Sequence, residues 1–180
     1  MTKRLFTGIL LSGVLLTSMG FAAEHRKSNP ATSRVEREVR RELVMLPYYT
    51  LFDHLAFQVD GESVTLLGKV SRPILKSDAG NVVRGIKGVE KVTNRIVVLP
   101  VSGNDARLRL ALYSAIYGHS ALQTLAVRAN PPIHIIVENG NVTLEGMAGN
   151  DMQKQIARMQ AGTVPGVFSV TDNLRVEGDS

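Results

Sequence analysis

Apolar and polar residues alternate with two different periods along this chain, and the periods change at the same points in each half. Ala56-Phe57-Gln58-Val59 and Val64-Thr65-Leu66-Leu67 alternate at period two about the turn Asp60-Gly61-Glu62-Ser63, the pattern of a β-hairpin. Ile133-His134-Ile135-Ile136-Val137 and Val142-Thr143-Leu144-Glu145 repeat it about Glu138-Asn139-Gly140-Asn141. A helical stripe follows each hairpin: Leu75, Ala79, Val82, Val83 and Ile86 in the first half, Met152, Ile156 and Met159 on 151–161 in the second. A third strand is expected over 89–99, with a counterpart after Gly166. Ahead of the first hairpin, Val35, Val39 and Leu43 share one face of a helix, with Ser33 as its expected N-cap and Pro47 as its end.

The two halves are copies. At a constant offset of 78, residues 57–98 match their counterparts twelve times in 42 positions, where ordinary residue usage gives roughly two or three. Each copy reads α-β-β-α-β, an α+β fold. Each is expected to form a three-stranded mixed sheet with two helices on one face and the other face partly open. Pro100, Ser102 and Gly103 mark the boundary, giving modules at 34–100 and 106–178 joined by a linker at 101–105.

The second copy departs from the first in two ways. About five residues are inserted before its hairpin, where Gly118-His119-Ser120 interrupts an otherwise apolar stretch. Its first helix, capped by Asn104 or Asp105, carries Leu108, Leu110, Ala111, Leu112, Tyr113, Ala115, Ile116 and Tyr117. That is more apolar surface than one stripe needs. The excess is expected to pack on the first module, or else to face lipid or a protein.

The amino terminus has a different character. Lys3 and Arg4 precede an apolar run from Leu5 to Leu16, and Gly20-Phe21-Ala22 supplies small residues. Residues 1–22 thus read as a secretory signal cut before Ala23, and 23–33 as a polar linker. The expected location is a bacterial periplasm.

Composition narrows the chemistry. With no cysteine, disulfides, thiol catalysis and cysteine-bound metal are excluded. The net charge of +5 falls to +3 without Lys3 and Arg4, far from a nucleic-acid polycation. Residues 31–101 hold eleven Lys/Arg against eight Asp/Glu, and 102–180 hold six against seven. His25, His54, His119 and His134 share no local motif, so no metal site is expected, and His134 is expected to face solvent. Gly118-His119-Ser120-Ala121-Leu122 lacks the last glycine of a nucleophile elbow and follows a helix. Gly85-Ile86-Lys87-Gly88 sits between helix and strand, the wrong frame for an RNA-clamping loop. No catalytic residue, cofactor or nucleic-acid partner is expected.

The twice-used Gly…Val-Thr-Leu-x-Gly turn, followed by Gly88-Val89-Glu90-Lys91-Val92-Thr93-Asn94 and Gly166-Val167-Phe168-Ser169-Val170-Thr171-Asp172-Asn173, resembles the BON domain. In tandem behind a secretory signal, the modules are similar to osmotically induced periplasmic proteins. They are also similar to two-BON outer-membrane lipoproteins without the lipid-bearing cysteine. The resemblance implies a non-enzymatic module that associates reversibly with anionic phospholipid or a membrane surface, in envelope maintenance or osmotic stress. It implies no catalytic signature. Its alternatives are docking onto an envelope protein complex and a stress-responsive holding chaperone. For a lipid or partner surface the expected residues are Leu108, Leu112, Tyr113, Ile116 and Tyr117 for apolar contact, with Arg34, Arg37, Arg41, Arg107 and Arg109 for charge.

Overall fold

A computed structural model describes residues 30–128 and 130–178. The signal-peptide reading, and the linker reading up to residue 29, lie outside the described residues. Two α+β modules follow one another. The first runs α1 (Pro30–Val44), β1 (His54–Asp60), β2 (Ser63–Val70), α2 (Pro73–Arg84), β3 (Lys91–Asn94) and β4 (Val97–Val98). The second runs α3 (Gly103–Tyr117), α4 (Gln123–Ala126), β5 (Ile133–Glu138), β6 (Asn141–Ala148), α5 (Asp151–Thr163), β7 (Ser169–Asp172) and β8 (Arg175–Val176).

Both sheets have the same mixed order. The Gly61-Glu62 turn folds β1 antiparallel onto β2, and α2 carries the chain over so that β3 and β4 run parallel to β2. The third strand is therefore continuous in direction but broken at Arg95-Ile96, where the expected single strand becomes two short ones. The second module copies this, with β5 antiparallel and β7 and β8 parallel to β6. The offset of 78 holds from β2 and β6 to β4 and β8, while α1 and α3 are offset by 73; α4 occupies the difference.

Several expected boundaries move. The first helix starts at Pro30, so Ser33 lies within it and 30–33 are not linker; proline suits a first helical turn because it lacks the N–H left unpaired there. The cap of α3 is Ser102, whose side chain accepts from the Asp105 N–H at 3.1 Å. Asp105 instead lies buried, and its carboxylate accepts from the Asn139 and Gly140 N–H groups at 2.9 Å each. It ties the second hairpin's turn to α3.

Each module has its own core. Val35, Val39 and Leu43 of α1 meet Val64, Leu66 and Val70 of β2 and Leu75, Ala79 and Val83 of α2. In the second module Leu108, Leu112 and Ile116 of α3 meet Ile133, Ile135 and Val137, Val142 and Leu144, and Ala157 and Ala161. The apolar helix thus packs chiefly on its own sheet and on α5, and from the first module Leu51 and Phe52 reach the core it helps to form. The spacing 108, 112, 116 is the stripe that faces inward.

The modules meet through the faces their helices leave open. Side chains of β1 and β2 that point away from α1 and α2 reach those of β5 and β6 that point away from α3 and α5. Lys69 Nζ lies 2.5 Å from Glu138 Oε2, and His54 Nε2 lies 3.8 Å from Glu145 Oε2. Both faces of β5 are covered, which makes Ile133 through Val137 a run of five buried residues. The loop before β1 completes the join. The Ile135 N–H donates to the Leu51 carbonyl at 2.7 Å, on the free edge of β5, and Leu51 and Phe52 pack against the second module's core. Asp53, fully buried, holds that loop by accepting from the backbone N–H and hydroxyl groups of both Thr50 and Ser71, at 2.6–3.0 Å.

Candidate functional site

The surface expected on α3 is mostly interior. Leu108, Leu112, Ile116 and Tyr117 lie in the core, where neither a bilayer nor a partner can touch them while the module is folded. The Tyr117 hydroxyl donates to the Ile133 carbonyl at 2.7 Å and accepts from the Ile133 N–H at 3.1 Å; burial pushes its pKa well up. Tyr113, 38% exposed and 5.4 Å from the Tyr117 ring, stays accessible, as does Leu110 at 64%. Sequence periodicity missed this division because α3 is apolar on its outer face as well.

The arginines divide likewise. Arg34 donates to the Lys87 carbonyl at 2.8 Å and Arg109 to the Val137 carbonyl at 2.9 Å, so both fasten a helix to its own module. Arg41 lies between Glu38 and Glu42 at 2.6 and 3.0 Å, and the hydrogen bond to Glu42 leads the effects that raise its pKa. Arg37 and Arg107 are exposed on α1 and α3.

A second surface was not picked out by the sequence reading. After α1 the chain runs Val44-Met45-Leu46-Pro47-Tyr48. Leu46 is buried, whereas Met45 is 75% exposed and Tyr48 62%. Tyr48 has φ 67°, the left-handed region that a bulky residue adopts only at a cost of about 1–3 kcal/mol. Its ring lies 5.4 Å beneath the Arg72 guanidinium, and Ile74, also exposed, begins α2 next to Arg72. The exposed apolar side chains Met45, Tyr48 and Ile74 thus lie on the two chain segments that the Tyr48–Arg72 contact joins, a ridge with a cation on it that no core contact requires. The signal in sequence was the apolar run astride Pro47, read only as a helix end.

Between the modules lies a titratable cluster. The His134 ring is 6.0 Å from that of His54 and 5.6 Å from that of Tyr49. His134 is 8% exposed, so it does not face solvent: the first module covers its strand face, and its Nδ1 is buried without a partner. Burial, and then His54, lowers its pKa below the ordinary 6.5, with the backbone of Asp53 and Thr50 and the Asp53 charge pulling the other way. Burial also lowers that of His54, aided by Arg175 and opposed by Glu145. Burial pushes the Tyr49 hydroxyl up to about 12. Both imidazoles thus bind protons more readily in the unfolded chain. The stability these two imidazoles contribute is therefore expected in full above about pH 6.5 and to fall as the pH drops below it. Urea unfolding at pH 7.5 and 5.0 should show the loss, and His134→Gln with His54→Gln should flatten it; an unchanged slope in the double variant would place the acid sensitivity elsewhere. Among the described residues no cluster of His, Asp and Glu fits a metal ion, and no helix is long and apolar enough to cross a membrane.

The BON-domain family model matches residues 31–100 and again 104–178. The chain belongs to the BON-domain family. BON domains are in general non-catalytic modules of the cell envelope that bind membranes and phospholipids. No curated protein matches the chain. Among solved structures it is similar to the C-terminal domain of CdsD, the structural protein of the type III secretion system of Chlamydia trachomatis. Identity there is 12%, covering 78% of this chain and 96% of that one, with a TM-score of 0.28. A second CdsD structure is 14% identical, covering 81% and 94%, with a TM-score of 0.28.

Proposed function

We propose that this tandem BON protein is a non-enzymatic periplasmic module that associates reversibly with anionic phospholipid surfaces. The observation that carries the reading is the ridge of Met45, Tyr48 and Ile74 with Arg72 lying over the tyrosine ring. Tyrosine suits a membrane interface because its ring tolerates the acyl boundary while its hydroxyl stays wet. Arg72 adds attraction of about 1 kcal/mol near an anionic leaflet, screened by salt. Of the expected set, Arg34, Arg37, Arg41, Arg107 and Tyr113 are exposed for a wider contact, with Arg34 held on the Lys87 carbonyl and Arg41 between Glu38 and Glu42.

The test is co-sedimentation of the full chain with anionic and zwitterionic vesicles at low salt and at about 0.5 M salt. Binding is expected to anionic vesicles only and to fall with salt. Met45→Glu with Tyr48→Glu should weaken it about tenfold or more, since each side chain buries apolar area in the bilayer boundary and each Glu adds repulsion. Full binding by that double variant would move the site off this ridge. Absence of binding by the parent would end the lipid reading.

One observation favours docking onto an envelope protein as a second reading. β1 pairs only with β2, so in antiparallel alternation the backbone groups of Phe57 and Val59 point to its free edge. That edge borders a groove of about 720 Å³ lined by Arg40, Val44, Tyr49 and Phe57, with Arg40 5.5 Å above the Phe57 ring. A strand added there would bind through its main chain. Such a contact persists in high salt, where the lipid contact does not.

A further inference from the structure

Between the two open sheet faces is a cavity of about 310 Å³, lined by His54, Leu67, Gly68, Lys69, Arg95, Val97, Ile136, Thr143 and Glu145. Its walls are mainly apolar, from Leu67, Val97, Ile136 and the bare Gly68 backbone. Strand order fixes its shape. His54, on β1, stands half-buried against Glu145 at one end. Arg95 and Val97, on the opposite edge of the same sheet, are exposed and form the mouth.

The charges lining this cavity are unequal in their commitments. Lys69 is paired with Glu138. Glu145 accepts from Asn173 Nδ2 at 2.7 Å and faces His54. The Arg95 side chain has no hydrogen bond, ion pair or ring contact among the described residues; only its backbone N–H is used, donating to the Leu66 carbonyl at 2.8 Å. An unpaired guanidinium at the mouth of an apolar pocket suits a ligand with an anionic head and a short apolar tail. At about 30 Å³ per water-sized group the space takes about ten non-hydrogen atoms. That suits one short acyl chain.

The geometry points to this inter-module cavity as a binding site for a free single-chain carboxylate of medium length, its tail against Leu67, Val97 and Ile136 and its head on Arg95. The site is distinct from the Met45–Tyr48 ridge and does not depend on it.

The probe is octanoate, titrated calorimetrically into the full chain, beside octanol and octylammonium. Octanoate should bind saturably at one site per chain, at least tenfold tighter than octylammonium. Arg95→Glu should weaken octanoate at least tenfold, and Val97→Trp, at an exposed position in the mouth, should abolish it. Neither substitution should change vesicle binding by more than twofold, which separates failure here from failure of the membrane reading. Absent saturable binding, equal affinity for octylammonium, or octanoate affinity unchanged in both variants would each overturn the assignment. Vesicle binding lost along with octanoate binding would also overturn it, by making the cavity part of the membrane contact.

Discussion

Leu112→Glu should unfold the second module and not merely alter its surface. Leu112 is fully buried, at the centre of the α3 stripe, against β5 and α5. Truncating such a leucine to alanine costs about 2–5 kcal/mol. A carboxylate there adds the desolvation of a charge with no cation built to meet it, several kcal/mol more. A module of this size rarely holds more than about 3–5 kcal/mol from its core, so the folded state is lost. Leu110→Glu, two residues away and exposed, is the control and should melt within a few degrees of the parent. Circular dichroism on heating reads both. A cooperative, unshifted melt for Leu112→Glu would mean that the stripe faces outward and that the helix is the docking surface after all.

That contrast also shows how far sequence alone reached. Hairpins, the tandem repeat and the α+β plan were legible because they rest on local chemistry: period-two alternation, glycine turns and a constant offset. The assignment of α3 was not, because a helix apolar on several sides offers more than one stripe, and only the sheet beneath it chooses 108, 112 and 116. The module interface was equally hidden. His134 and Ile136 alternate with core residues of their strand as solvent-facing positions would, and the sheet that covers them comes from residues 54–69, far away in the chain. Asp105 reads as a cap, yet its carboxylate meets Gly140, 35 residues distant, and Asp53, which carries no local signal, meets Ser71, 18 residues on. The Met45–Tyr48 ridge escaped because its signal, an apolar run across a proline, is shared with ordinary helix ends.

Gly146→Ala and Gly68→Ala should each destabilise the protein by about 3 kcal/mol or more. The two glycines end the Val-Thr-Leu-x-Gly repeats at φ 105° and 115°, where a side chain is strained by about 1–3 kcal/mol. Space is the larger obstacle. A Cβ on Gly146 would sit 2.1 Å from the Pro132 carbonyl oxygen, and one on Gly68 2.1 Å from that of His54. Neither oxygen can yield cheaply. Pro132 O accepts from the Met147 N–H at 3.0 Å, and His54 opposes Lys69 in the β1–β2 ladder. The alanine must therefore push two paired strands apart. Gly103→Ala is the control: it has open space in the first turn of α3 and should be neutral or stabilising by up to about 1 kcal/mol. Urea midpoints for the three variants decide the matter, and a Gly146→Ala protein within about 0.5 kcal/mol of the parent would mean the strands can separate there freely. Equal large losses in both copies would show why the repeat ends in glycine: the neighbouring strand's backbone passes too close for any side chain, which is a demand of the fold and marks no ligand.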